Sequence, residues 1–407
     1  MTHPLSAIGK REFIALVALL MSVNAMAIDI VIPALLLIGD LYGVAQENDR
    51  QWLITAYLFP FGVGQLLFGT LSDVFGRKRV ILGGLALYAS ASFLTPLAPN
   101  FAALLILRAL CGLGAASVRV AIVAVVRDCF SGREMAAVMS VVMLVFMSVP
   151  IFAPLIGQII LLVASWSWIF IFMGLFAAFL IVWMNARLPE TLASTDRKQL
   201  NLHDTISSFR LVLSTRRSIG YSIAQALFFG CLFGFVNAAP QIYLQMYELG
   251  GWFPLAFAIC GCAIACSNLA NARIVRRFGM RRISHTALTF FLVISATFAV
   301  VSWWSQGPVP LWAFIVATSV AFTALGFVGT NFNAIALEPL GEVAGTASAI
   351  FGFIQTAGAA SIGAIIGQTY NGSITPILAG FVVCSVIALG FVFWAERYKM
   401  FVERDQR

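Results

Sequence analysis

Apolar residues in this chain are gathered into long unbroken runs and do not alternate at the period of a half-buried helix or strand. Twelve such runs stand out, at roughly 13–37, 52–72, 80–97, 101–125, 135–161, 166–186, 218–244, 253–273, 284–304, 311–336, 343–369 and 376–395. Each is close to the ~20 residues that a helix needs to cross a bilayer. Polar residues are confined to the gaps, and the longest gap, 187–217, divides the runs six and six. The pattern predicts an all-α integral membrane protein of twelve transmembrane helices. Its parts are an N-terminal six-helix bundle (1–186), a central loop (187–217), a C-terminal six-helix bundle (218–395) and a tail (396–407).

The first run resembles a secretory leader, because Lys10 and Arg11 precede an apolar stretch ending in Asn24-Ala25-Met26-Ala27. The apolar character then continues to Ile38 with only Asp29 interrupting, so the run reads as a span. Cations orient the spans. If the chain starts inside, the cytoplasmic segments collect 22 of the 25 Lys and Arg and the external loops hold only Arg50. Both ends and the central loop are therefore expected in the cytoplasm. An internal echo supports duplication: Gly69 to Arg79, between spans 2 and 3, recurs as Ala272 to Arg282, between spans 8 and 9, with Phe75-Gly76 matching Phe278-Gly279. Two six-helix halves made by one chain fit a transporter with a midplane site, and a monomer is expected.

Composition narrows the function further. With 61% apolar or aromatic residues and 10% charged, a water-facing surface cannot be assembled, and the net charge of +8 reads as topology and not as nucleic-acid binding. The seven Cys do not have metal-ligand spacing, and His3, His203 and His285 are read as lying outside the apolar runs, so no metal is expected. No phosphate-binding loop of the ATPase type occurs, so neither ATP hydrolysis nor a cofactor is implied. A membrane-embedded enzyme would need a dyad or metal cluster within the spans, and none is found. The charges inside spans are Asp29, Arg108 and Arg119. A carboxylate inside a span is expensive unless it is protonated, paired or functional. Asp29 lies about five residues, ~7–8 Å, beyond the centre of span 1, and Arg108 lies at a matching depth on span 4. The two can therefore meet, either as a proton-exchanging pair or as a static ion pair. Arg119 shares a stripe of span 4 with Arg108, Gly112 and Ala115. It can snorkel to the surface, contact a substrate or bend to Asp128. Neutral candidates for a substrate cavity are Tyr57, Gln65, Gln225, Asn237, Gln241, Asn331, Asn333 and Gln355.

Several motifs carry a family resemblance. Gly69-x-x-x-Asp73-x-x-Gly76-Arg77-Lys78-Arg79 resembles the signature loop of the major facilitator superfamily, and Leu104-x-x-x-Arg108-x-x-x-Gly112-x-Gly114 resembles its span 4 motif. Pro150-x-x-x-Pro154-x-x-Gly157 in span 5 is similar to the antiporter motif of drug/proton exporters. Ala27-Ile28-Asp29-x-x-x-Pro33, Gly64-Gln65, Arg127-Asp128, Leu188-Pro189-Glu190-Thr191-Leu192 and Ala344 to Ala349 look like the bicyclomycin-resistance (Bcr/CflA) subfamily. Ala153 departs from the glycine usual before the proline, and Arg119 stands where relatives carry small or apolar residues. The resemblance implies two pseudo-symmetric halves in a bacterial inner membrane, with small amphipathic drugs exported in exchange for protons. Asp29 would then carry the proton and Arg108 would tune it. Gly69, Asp73, Gly76, Arg77, Arg127 and Asp128 would form a conformational latch, with span 11 as a further partner of Asp73 by analogy. Because Arg276 replaces Asp73 in the second copy, that latch is expected to be one-sided. Pro150, Pro154 and Gly157 would bend span 5 into a tight seam, against span 8 by analogy. The alternative cargo is a sugar or other metabolite. Two cations on one stripe of span 4 favour neutral or zwitterionic, phenicol-like drugs over cations.

Overall fold

The computed structural model describes residues 8–192, 195, 197, 202–305 and 308–401. The tail after Phe401 lies outside them. Among the described residues twelve helices are long and apolar enough to cross a membrane, which makes this a multi-pass membrane protein. The chain forms two compact units. One comprises Met1–Ala45 with Trp52–His203, and the other comprises Gln46–Gln51 with Asp204–Arg407.

The first unit holds α1 (Lys10–Asp29), α2 (Leu35–Leu41), α3 (Trp52–Phe75), α4 (Arg77–Leu94), α5 (Phe101–Cys129), α6 (Gly132–Val163) and α7 (Ser167–Arg187). The first run is not one continuous helix as its apolar character suggests. Pro33 has no N–H to donate to the carbonyl of Asp29, four residues back, and its ring crowds that carbonyl, so α1 stops at Asp29. A 3-10 turn over Ile32–Ala34 then leads into α2. α6 runs as a helix through both Pro150 and Pro154.

The second unit holds α8 (Leu202–Ser214), α9 (Arg216–Pro240), α10 (Phe253–Phe278), α11 (Met280–Trp304), α12 (Leu311–Leu337), α13 (Ala344–Phe353), α14 (Ala359–Gln368) and α15 (Thr375–Ala395). The polar segment expected to be a loop therefore contains a helix, α8, whose Leu202, Ile206, Phe209 and Leu213 recur at helical spacing. π-helical turns follow α9 at Gln241–Met246 and separate α13 from α14 at Ile354–Gly358. Aromatic rings fill the interior, with Phe235 and Phe322 at 5.2 Å and Phe228 and Phe291 at 4.9 Å. The sequence echo has a backbone counterpart. Gly76 and Gly279 share nearly the same left-handed conformation, φ 99° and 78°, and each starts the following helix at a sharp reversal that a side chain would strain.

Candidate functional site

In the first unit the site is built around the break in α1. Asp29, its last helical residue, is only 6% exposed and has no hydrogen-bond or ion-pair partner among the described residues. An ionised side chain there has no counter-charge and lies at the negative end of the helix dipole. The next carbonyl, that of Ile30, lies against α6: a Cβ added to Gly157 would stand 2.1 Å from it. Within this unit the antiporter-motif helix therefore packs on span 1, beside Asp29, with Ala153 and Pro154 buried on the same helix.

Arg108 does not reach the Asp29 carboxylate, as matching depths had suggested. Its Nη2 donates to the carbonyl of Ala27 at 2.9 Å and its Nε to the carbonyl of Leu53 at 3.3 Å. The guanidinium lies 4.7 Å from the Tyr57 ring and 5.9 Å from that of Phe170. Arg108 thus ties α5 to α1 and α3 through backbone and ring faces. Matching depth fixes height along the bundle but not the direction in which a side chain points, and the carbonyls of Ala27 and Leu53 take two of its nitrogens while Nη1 stays buried without a hydrogen-bond partner among the described residues. Tyr57 donates to Asn24 Oδ1 at 2.9 Å and stacks on Phe61 at 6.0 Å. Gly112 is required here, because a Cβ on it would stand 2.1 Å from the Tyr57 carbonyl. Asn24 was missed in the sequence, and its polar side chain between apolar neighbours was the available signal. Gln65 is buried on α3. Arg119 lies with Nη1 3.5 Å from Met21 Sδ and its guanidinium 5.6 Å from the Phe146 ring, without an acid partner among the described residues.

The latch residues of this unit converge on Arg77, which is buried. Its guanidinium pairs with Asp73, donates to Ser72 Oγ at 2.8 Å, and meets Asp128 Oδ2 at 3.3 Å. Glu190 accepts the backbone N–H groups of Arg77 at 2.9 Å and Lys78 at 3.2 Å, capping the start of α4 where the helix dipole favours an anion. Gly69 contributes its carbonyl to Ser72 Oγ at 3.0 Å, and Gly76 supplies the turn. Arg127 is exposed and stays out of this cluster. Glu190 is an addition to the expected set, although its Leu-Pro-Glu-Thr-Leu motif was visible.

The second unit uses its amides differently from one another. Gln225 donates to the carbonyl of Gly329 at 3.1 Å, and Asn331 donates to Asn271 Oδ1 at 2.9 Å, so both are held in contacts between helices. Gln241 accepts from Gln51 at 2.6 Å and donates to Asn48 Oδ1 at 2.8 Å, beside a cleft of about 640 Å³ that Glu47, Gln245 and Tyr370 also line. Asn237 is buried next to Gly367, and neither of its amide atoms has a hydrogen-bond partner among the described residues. Asn333 is exposed, and Gln355 sits half-buried on a π-helical turn. A second ionic cluster was not anticipated. Buried Arg281 donates to Glu338 at 2.8 Å and to Glu396 at 2.9 Å, and Tyr221 donates to Glu396 at 2.9 Å while meeting His285 Nε2 at 2.7 Å. His285, read as outside the apolar runs, is fully buried in α11. Each unit therefore has an arginine just after the Phe-Gly turn that is held by acids at the ends of other helices. Glu338 and Glu396 follow α12 and α15, as Asp128 closes α5 and Glu190 follows α7.

Comparison with known proteins gives a consistent result. Residues 17–364 match the profile of the Major Facilitator Superfamily. The chain is 29% identical over 393 residues to the bicyclomycin resistance protein homolog of Haemophilus influenzae, covering 95% of this chain and 96% of that one. It is 29% identical over 359 residues to a chloramphenicol resistance protein of Pseudomonas aeruginosa, covering 84% and 80%. The crystal structure of the human organic anion transporter MFSD10 shares the fold at a TM-score of 0.67 and 19% identity, covering 95% of this chain and 99% of that one.

Proposed function

This chain belongs to the Major Facilitator Superfamily, and on that premise we propose that it is a proton-coupled antiporter that exports small amphipathic drugs across the bacterial inner membrane. Both termini and the segment between the halves face the cytoplasm in this reading, which places 22 of the 25 cations inside. One observation carries the proposal: a buried carboxyl without a partner among the described residues, set at a helix break inside a membrane span. Asp29 takes a proton when the site opens to the outside, and releases it when the site opens to the cytoplasm and cargo binds. Arg108 acts indirectly by fixing α1, α3 and α5 around it. The close packing of Gly157 on Ile30 couples a movement of α6 to the peptide beside the proton carrier. Cargo export follows from the resemblance to proteins named for bicyclomycin and chloramphenicol resistance. Arg77, Asp73, Asp128 and Glu190 hold the first unit's latch during the exchange.

The test is Asp29→Asn in proteoliposomes with an imposed pH gradient. Asn keeps the size and hydrogen-bonding capacity of the side chain but cannot titrate. Drug should no longer accumulate against its gradient, while downhill exchange persists. Uphill accumulation at the wild-type rate would rule Asp29 out as the coupling acid.

A further inference from the structure

Among the described residues three charged groups at membrane depth in the first unit lack a counter-ion: Arg108, which backbone carbonyls and ring faces hold, and two others of opposite charge. Asp29 is the first. Arg119 is the second, and its position excludes a surface role. Its nitrogen rests on Met21 Sδ, and Met21 is only 1% exposed, so the guanidinium points into the bundle. The end of α5 at Cys129 is ten residues away, about 15 Å along the helix and more than twice the length of an extended arginine side chain. Asp128, near that end, is already engaged by Arg77 and by the Thr191 hydroxyl. A thioether is a weak acceptor and a ring face contributes modestly, so neither replaces an anion for a permanently charged group at membrane depth.

We infer that the cargo is a zwitterionic amphiphile whose carboxylate pairs with Arg119 and whose protonated amine takes the place of the proton at Asp29. Met21, the neighbour of Arg119, is eight residues from Asp29 on α1, which sets the spacing of the two charges at about 12 Å. The inference rests on the antiport reading above and narrows its substrate class. The sign of the coupling selects this chemistry. A purely anionic cargo would bind better when Asp29 is protonated, since that removes a negative charge, and proton and cargo would then travel together. A purely cationic cargo would compete with the proton, but it would leave Arg119 unpaired and be repelled by it. A cargo with both ends competes with the proton at one end and neutralises the spare cation at the other. Arg108 keeps one buried donor, Nη1, without a hydrogen-bond partner among the described residues, but its Nη2 is bonded to the carbonyl of Ala27, two residues from Asp29, which places it too near the amine site to receive the far carboxylate.

The experiment is equilibrium binding to the purified full-length protein in detergent, with three probes. These are an aromatic acid bearing a distal piperazine, its methyl ester (cation only) and its N-acetyl acid (anion only). The parent should bind tightest. Arg119→Gln should weaken the parent by about tenfold, the worth of one partly buried charge pair, and leave the ester bound as well as before or better, since the repelling cation is gone. Asp29→Asn should weaken the parent and the ester but spare the N-acetyl acid. The inference is overturned if wild-type protein binds the ester as tightly as the parent or fails to bind the parent, or if Arg119→Gln weakens parent and ester alike or neither. Failure of the export reading shows separately, as parent that binds but does not accumulate in proteoliposomes under a pH gradient.

Discussion

Glu396→Gln tests the buried ionic cluster of the second unit. Glu396 is fully buried and accepts from Arg281 Nε and Tyr221 Oη, both at 2.9 Å. The substitution keeps the shape and one acceptor but removes the charge from one side of buried Arg281, whose contact with the carboxylate of Glu338, 32% exposed, survives. Removing one partner of a buried pair costs about 3–5 kcal/mol. The surviving contact to Glu338 and the amide oxygen of Gln bring this down to about 2–3 kcal/mol. For a body the size of one unit, where 1 kcal/mol corresponds to ~2–4 °C, the melting temperature should fall by about 5–10 °C. Heating in detergent followed by size-exclusion chromatography reads this directly. Glu134→Gln is the internal comparison. Its partner Lys10 lies at 2.5 Å, but both side chains are more than half exposed, and the shift should stay within about 2 °C.

The pH dependence of the same variant carries a definite sign. Burial opposes ionisation of Glu396, but hydrogen bonds from Arg281 and Tyr221 outweigh it and hold the carboxyl below its ordinary value. A carboxyl depressed in the folded state stabilises above its unfolded value, ~4.3, and that contribution is lost as the pH falls. The gap between wild type and Glu396→Gln should therefore close below that pH. A variant that melts within 2 °C of wild type at neutral pH, or a gap that persists undiminished in acid, would refute the reasoning.

Gly157→Ala should lower both the melting temperature and the transport rate. Its Cβ would stand 2.1 Å from a backbone oxygen that cannot turn aside, and overpacking of this kind costs about 1–3 kcal/mol. Gly83→Ala, with open space at its Cβ, should be silent in both assays. For the topology, a single cysteine placed near Asp405 in a background without the native cysteines should react with an impermeant thiol reagent only after cell lysis. Labelling of intact cells would reverse the orientation.

The spans were legible because lipid offers no partner for backbone polar groups, so each crossing must be a helix with apolar sides, and unbroken runs follow. The break at Asp29 was legible in principle, since Pro33 lies four residues later, yet a count of apolar residues passes over it. Side-chain direction was not legible. Depth placed Arg108 level with Asp29, whereas the nearest acceptors in its actual direction were the carbonyls of Ala27 and Leu53. Gln225 and Asn331 looked like cavity residues because they are polar inside spans, and the sequence did not show that each also donates a hydrogen bond to a neighbouring helix. Arg281, Glu338 and Glu396 sit at span ends, where cations read as topology markers and acids as solvated, so their pairing, and the burial of Arg281 and Glu396, could not be seen.

The repeat shows what duplication preserves and what it releases. Gly76 and Gly279 keep one backbone turn because only glycine tolerates that conformation without strain, and an arginine after each is held by acids from other helices. The acids themselves have moved: Arg276 stands where Asp73 would recur, and in the second unit Glu338 and Glu396 hold the arginine instead. At the same offset Asp29 falls on Leu232, Arg108 on Leu311 and Arg119 on Phe322. The charges at membrane depth thus have no counterparts in the second half, where two leucines and a phenylalanine take their place. An exchanger needs one group that titrates and one arrangement that responds to it. A second carboxyl at the symmetric position would add a competing proton site, with its own cost of burial, and would blur the linkage between proton and cargo. Under the proposed exchange, confining the titrating group to the first unit would leave the second free to contribute shape and neutral hydrogen bonds, which would suit it to cargo of varied outline.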